Sequence, residues 1–232
     1  MKISPSFRLL WVALLSTTLL SSCFELREEI YIKKNGSGNY SFLFDMSQMK
    51  PLLEAAMAFA DSTDSDKDFL AESEGALGQA TEMFEGMAGI SNPTAIKDKE
   101  NFKFGFQFDF QDVESLNDAL SQMETQADVV DSKKSIYKYS KGTLERNMAG
   151  YIVSLSRSMG SDSEEGKEAN SPDNDAILKS ANYVFVIKTE GKIKNFAGEN
   201  LTQVSERELK LTAPLSEVSN QKRNLQMKVK FK

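Results

Sequence analysis

The chain has no histidine and one cysteine in 232 residues. Without imidazole it lacks the commonest general base near neutral pH and the commonest zinc ligand. It also lacks every serine–histidine or cysteine–histidine nucleophile. A lone cysteine forms no internal disulfide. Basic residues are the minority sign, 28 against 34 acidic, for a net charge of −6. That balance disfavours nucleic acid and anionic membrane surfaces as partners. Long apolar runs are missing too: the stretch from Leu9 to Leu20 covers twelve residues, short of the ~20 a membrane helix needs. No motif implies a metal or a cofactor, and none names a reaction. Carboxylate or lysine chemistry stays open but unmarked, and the expectation is a protein that is not an enzyme.

The N-terminus is informative. A basic start (Lys2, Arg8), the short apolar run and the small residues after it form a secretory signal. Leu20-Ser21-Ser22-Cys23 resembles the bacterial lipobox, an aliphatic residue and two small residues before cysteine. The resemblance implies that Cys23 is acylated and that the chain is cut before it. Residues 1–22 are then the signal peptide and 23–232 a single tethered domain, held to the membrane by acyl chains; two or more such chains anchor stably where one does not. Lys2 and Arg8 leave with the signal, so 26 basic against 34 acidic residues remain and the net charge falls to −8. Phe24 follows the cysteine where an aspartate would favour the inner membrane. The expected location is therefore the cell envelope, leaning to the outer membrane, with the periplasmic or surface face undecided. Glu25, Glu28 and Glu29 faintly resemble an acidic surface-export signal.

Phe24 to Lys33 alternates. Phe24, Leu26, Ile30 and Ile32 share one face, interrupted by Glu28, which predicts a half-buried strand. Asn35-Gly36-Ser37-Gly38 reads as a hairpin turn. Tyr40, Phe42, Phe44 and Met46 alternate again. Acylated cysteine, charged strand, Asn-Gly-Ser-Gly turn and aromatic strand ending in Asp45-Met46-Ser47-Gln48-Met49 together resemble uncharacterised Bacteroidota lipoproteins and, more distantly, the LppM-like lipoprotein domain. The resemblance covers residues 20–49 and, loosely, the C-terminal strands. It implies a β-rich sandwich or barrel with helices, and lipid binding as one possible role.

From Met49 the period turns helical through Leu52, Leu53, Ala56, Met57 and Ala60, and again through Leu77, Ala80, Phe84, Met87 and Ala88. These methionine-rich faces read as core or as an adaptable binding surface. Polar loops are expected near 61–68 and 160–175. The first fails as a calcium loop, with Phe69 where glycine is needed and Gly75 where the bidentate glutamate belongs. Asp61-Ser62-Thr63 resembles a Bacteroidota O-glycosylation site. Asn92-Pro93 reads as a break.

Phe102, Phe104, Phe106, Phe108 and Phe110 form the strongest strand, five rings on one face. Each ring can bury ~150–250 Å², so the face must be covered. It is either core or the wall of an apolar ligand cavity. Gly105, on the other face, marks a bulge or a close backbone contact. Asp112 caps a helix carrying Val113, Leu116, Leu120 and Met123. Val129-Val130 and 135–139 read as strands. Leu144, Met148, Tyr151, Ile152, Leu155 and Met159 fit a helix, although 143–146 would equally continue the strand. Tyr183 to Ile187 is apolar on both faces, as in a central strand. Leu209, Leu211 and Ala213, then Leu225 to Phe231, complete the pattern.

The expected fold class is α+β, a mostly antiparallel sheet or sandwich of about seven to eight strands with about four amphipathic helices packed on one side. Three functional classes follow. One is a non-catalytic envelope binding or interaction module with a protein partner. Another is a carrier or sensor of lipid or another apolar ligand. An enzyme is the third, and it would need carboxylates such as Glu28, Asp45 and Asp109 to converge.

Overall fold

The computed structural model describes residues 24–51, 81–126, 135–147, 150–153 and 179–232. Among the described residues, eleven strands form two sheets. The larger has seven strands in the order β3-β4-β2-β1-β7-β10-β9, and the smaller has four in the order β5-β6-β11-β8. The large sheet comprises β1 (Phe24–Ile32), β2 (Gly38–Asp45), β3 (Ile90–Asp98), β4 (Lys103–Phe110), β7 (Ala181–Thr189), β9 (Leu201–Ser205) and β10 (Glu208–Pro214). The small sheet comprises β5 (Tyr137–Ser140), β6 (Thr143–Arg146), β8 (Ile193–Gly198) and β11 (Met227–Phe231).

Local chemistry explains the first hairpin. Strict alternation gives β1 five buried positions, 24, 26, 28, 30 and 32. Gly36 takes a φ of +91°, the left-handed backbone a tight turn requires. Lys33 N–H then donates to Ser37 O at 2.8 Å and starts β2. β2 pairs in turn with β4, matching Phe42 to Phe106 and Tyr40 to Phe108. Gly105 lies opposite Leu43 in regular register, because a Cβ there would stand 2.0 Å from Phe42 O. It marks a close backbone approach; the bulge falls across the ladder in β3, between Ser91 and Thr94.

Asp112 caps α1 (Val113–Gln126) by accepting from Ser115 N–H at 2.8 Å. This helix packs against β3, β4 and β5 and spans the side of the sandwich. A second helix, α2 (Leu215–Ser219), packs against β7 and β10.

Several expectations are corrected. Among the described residues the strands number eleven, because β3 runs through Asn92-Pro93 and because β8 and β9 occupy 193–205. The proline is tolerated in β3 since that strand is a sheet edge and bulged there. The large sheet is mixed: β1 runs parallel to β7, matching Phe24 to Ala181 and Glu28 to Phe185. Of the two readings open for 143–146, the strand is the one found, with Leu144 in β6. Phe102 precedes β4 with a φ of +52°. Among the described residues the helices are fewer and shorter than expected, α1 and α2 covering 113–126 and 215–219. The signal peptide, Cys23, most of the 49–60 helix, the loops at 61–68 and 160–175, and Val129-Val130 lie outside the described residues.

Candidate functional site

The inner face of the large sheet has a cross-strand row Phe106–Phe42–Glu28–Phe185–Leu211. A carboxylate thus stands at the middle of an apolar row. An unpaired charge there would be prohibitive. The facing row of the small sheet runs Tyr137–Arg146–Met227–Gly198. It supplies the missing cation: Arg146 Nη2 donates to Glu28 Oε2 at 2.9 Å, and neither side chain has exposed surface.

Tyrosines complete the shell. Tyr137 Oη donates to Glu28 Oε1 at 2.8 Å, and Tyr183 Oη to Oε2 at 2.5 Å. Tyr151, from the helical residues 150–153, also donates to Oε1. The carboxylate therefore accepts four bonds, two per oxygen. Arg146 Nη2 also donates to the hydroxyl of Tyr183 at 2.9 Å. The guanidinium carbon sits 4.3 Å from the centre of the Phe185 ring, a cation–π contact that partly replaces lost hydration. Its Nε and Nη1 are buried and have no hydrogen-bond partner among the described residues. Burial works against the guanidinium's charge, yet Glu28 and the ring of phenols hold its pKa well above the ordinary arginine value. Burial, with the Glu28 charge added, pushes Tyr40, Tyr137, Tyr151 and Tyr183 well above the ordinary phenol value.

A cluster closed to solvent meets no substrate as it stands. Its evident work is to join the sheets. The other two carboxylates named for catalysis do not converge on it. Asp45 lies opposite Lys103 at one end of the β2–β4 ladder, and Asp109 opposite Asn39 at the other. Asp45 pairs with Lys103 at 2.9 Å. Partial burial opposes its ionisation, but the Ser47 and Lys103 donors hold it below the usual carboxylate range. Asp109 is held low by amide donors from Asn92 and Asn39.

Of the five phenylalanines, Phe106 and Phe108 are packed ring to ring. Phe84 lies 5.2 Å from Phe106 and 4.7 Å from Phe108, and Tyr40 lies 5.2 Å from Phe108. Phe110 joins the same core. Phe102 and Phe104 form a separate buried cluster with Met46 and Ala95. The strand pattern placed Glu28 on the buried face. It missed Arg146 and the four tyrosines, although a carboxylate on an apolar strand face already demanded a buried cation.

An open groove of about 610 Å³ lies between the β1–β2 turn, the start of α1 and β5. Asn117 clasps the strand edge there. It accepts from Tyr137 N–H at 2.8 Å and donates to Tyr137 O at 2.9 Å.

No family model matches the chain, and no curated protein does either. Among solved structures, it is similar to the folded domain of Mycobacterium tuberculosis LppM, determined by NMR. The match covers 91% of each chain at 7% identity, with a TM-score of 0.38. At that distance nothing about function follows from it. Among the described residues, no helix is long and apolar enough to cross a membrane.

Proposed function

We propose that this chain is an acyl-anchored lipoprotein of the bacterial envelope, tethered to the outer membrane through Cys23, whose sandwich is a non-catalytic interaction module. One observation carries the reading. Phe24, the residue after the lipobox cysteine, is already buried and paired with Ala181 in the sheet. The acylated residue would thus be the first residue before a strand, with no flexible spacer, and the domain would stand directly on the bilayer. The non-catalytic part rests on the separation of Glu28, Asp45 and Asp109 and on the closed state of Glu28.

Metabolic labelling with an alkynyl fatty acid, followed by fractionation, tests the anchor. Wild type should carry label and stay in the membrane after a high-salt wash. Cys23→Ala should lose the label and leave the membrane or fail to mature. Membrane retention and normal processing of the variant would sink the reading. Photo-crosslinking in cells from an exposed position such as Val204, 57% exposed, tests the module and should trap a discrete protein partner. Native mass spectrometry of the intact chain showing a stoichiometric bound lipid would instead favour a carrier.

A further inference from the structure

β5 is an edge strand of the small sheet, and half of its open side is already in use. The two-residue turn Lys141-Gly142, at φ +48° and +74°, closes the β5–β6 hairpin, and Asn147 N–H donates to Ile136 O at 2.8 Å. Residues 136, 138 and 140 therefore bond towards β6, and antiparallel alternation turns the peptide groups of Tyr137 and Tyr139 outward. At Tyr137 the carboxamide of Asn117 answers both groups, accepting from N–H at 2.8 Å and donating to O at 2.9 Å. It holds the place of a neighbouring strand's peptide unit. Tyr139 presents the same donor and acceptor about 7 Å further along the strand, and no third strand lies beside them.

The groove of about 610 Å³ runs along this edge, past Asn117 and Tyr139. Tyr139 is fixed in it: its Oη donates to Lys34 O at 2.6 Å, and a Cβ at Gly36 would stand 2.9 Å from its ring. A site held in place before anything binds loses less to ordering on association. The wall formed by α1 is acidic, with Asp112 and Glu114 both on the lining. Glu114 is exposed and has no ion-pair partner among the described residues. The N–H and hydroxyl of Ser115 hold Asp112 below the usual carboxylate range. Lys138 is the one cation on the lining among the described residues. It belongs to the outer face of the small sheet, opposite Glu145 in register.

We propose that this groove takes an extended peptide segment carrying a lysine or arginine, which adds to the edge of β5 at Tyr139 and sets its cation against Asp112 and Glu114. In strand addition the main-chain bonds give affinity and the side-chain contacts give specificity. The bonded stretch is short here, because Asn117 blocks β5 at Tyr137, so the charge contact decides which peptide binds. That the peptide belongs to a partner protein rests on the interaction-module reading; the preference of the groove for a basic peptide does not.

The test uses the full chain and a capped pentapeptide of valine and threonine with a central lysine. The peptide should bind saturably and slow hydrogen exchange at the Tyr139 amide. The same peptide with a central glutamate, or with N-methyl groups on its backbone, should bind about tenfold more weakly or worse. Glu114→Lys, a change at an exposed position, should weaken the lysine peptide about tenfold and strengthen the glutamate peptide, in a protein still folded by circular dichroism. Equal binding of the three peptides overturns the proposal. So does equal binding of the lysine peptide to wild type and Glu114→Lys, or exchange at Tyr139 that no peptide slows. Slow exchange at Tyr139 that depends on protein concentration, without peptide, identifies a second copy as the occupant and overturns it too. A partner trapped from Val204 with no peptide bound overturns this site and leaves the interaction-module reading standing. Peptide binding with no partner trapped in cells removes only that reading and supports the site.

Discussion

Glu28 and Arg146, 118 positions apart in the chain, meet at 2.9 Å between the two sheets. One belongs to β1 of the large sheet and the other to β6 of the small sheet. Neither strand could keep its charged residue buried if the sheets parted. The pair therefore fixes how one sheet sits on the other, a role in specificity for which buried ion pairs are retained even when their net stabilisation is small.

Breaking the pair from either side should be costly. Glu28→Ala strands a guanidinium, and Arg146→Met strands a carboxylate. Each should lower stability by about 3–5 kcal/mol. The double variant leaves neither charge, so it should cost at least 2 kcal/mol less than the sum of the singles, a coupling within the ~0.5–3 kcal/mol range of contacting residues. Urea denaturation of the four proteins measures this. Additivity within about 0.5 kcal/mol would mean that the two groups are not coupled in solution.

The tyrosines should rank by what they donate to. Tyr137→Phe, Tyr151→Phe and Tyr183→Phe each delete a bond to a carboxylate, about 1.5–3 kcal/mol apiece. Tyr183→Phe should be the worst, because its hydroxyl also accepts from Arg146 at 2.9 Å, a closer contact than the 3.4 Å at Tyr151. Tyr40 reaches the cluster only through Tyr151, at 3.5 Å, so Tyr40→Phe should be the mildest. Denaturation midpoints give the order, and an order with Tyr40 first would contradict the geometry.

Most of the sandwich was legible where alternation is strict. β1, β4 and β11 follow from period-two patterns, β7 from a continuous apolar run, and Asp112 from its position before an apolar period. β3 and β9 were not legible because edge strands bury one row or less. Residues 90–98 carry Asn92 and Pro93, and 201–205 bury Leu201 alone. The parallel β1–β7 pairing escaped because about 150 residues of chain separate its strands, and local pattern says nothing about partners at that range. Glu28 was visible as an anomaly on an apolar face. Its partner was not: Arg146 and Tyr151 lie in a stretch where strand and helix periods both fit, and in the helical reading Arg146 falls on an unassigned face.

Alkaline pH should loosen the fold through the same phenols. Burial is the main reason their pKa values rise. The Glu28 charge adds to it in all four, and Arg146 works against it in Tyr137, Tyr151 and Tyr183. The unfolded chain releases these protons near pH 10, whereas the native state keeps them. Stability is thus fully present below about pH 10 and falls as pH rises toward the folded values, at about 1.4 kcal/mol per pH unit for each tyrosine. Urea midpoints between pH 8 and 11.5 should fall steeply above 10. The tyrosinate absorbance of four of the six tyrosines should emerge only with unfolding. Ionisation of those four near pH 10 in the native protein would show that the cluster is open to solvent.

The aromatic face depends on a residue with no side chain. At Gly105 a Cβ would stand 2.0 Å from Phe42 O and 2.9 Å from the Leu43 Cα, both backbone atoms of β2. A flexible side chain could move aside, but a paired strand cannot without giving up ladder bonds. Gly105→Ala should therefore push β4 from β2 and unseat Phe106 and Phe108 from Phe42, Tyr40 and Phe84. Overpacking of this kind costs typically 1–3 kcal/mol and occasionally more; with a backbone obstacle the expected loss is at least 2 kcal/mol. Gln107→Ala, two residues along on the exposed face, should stay within about 0.5 kcal/mol. Equal stability of the two variants would mean that β2 and β4 are not held at this distance, and that the stacked rings, not the backbone ladder, set the spacing of the sheet.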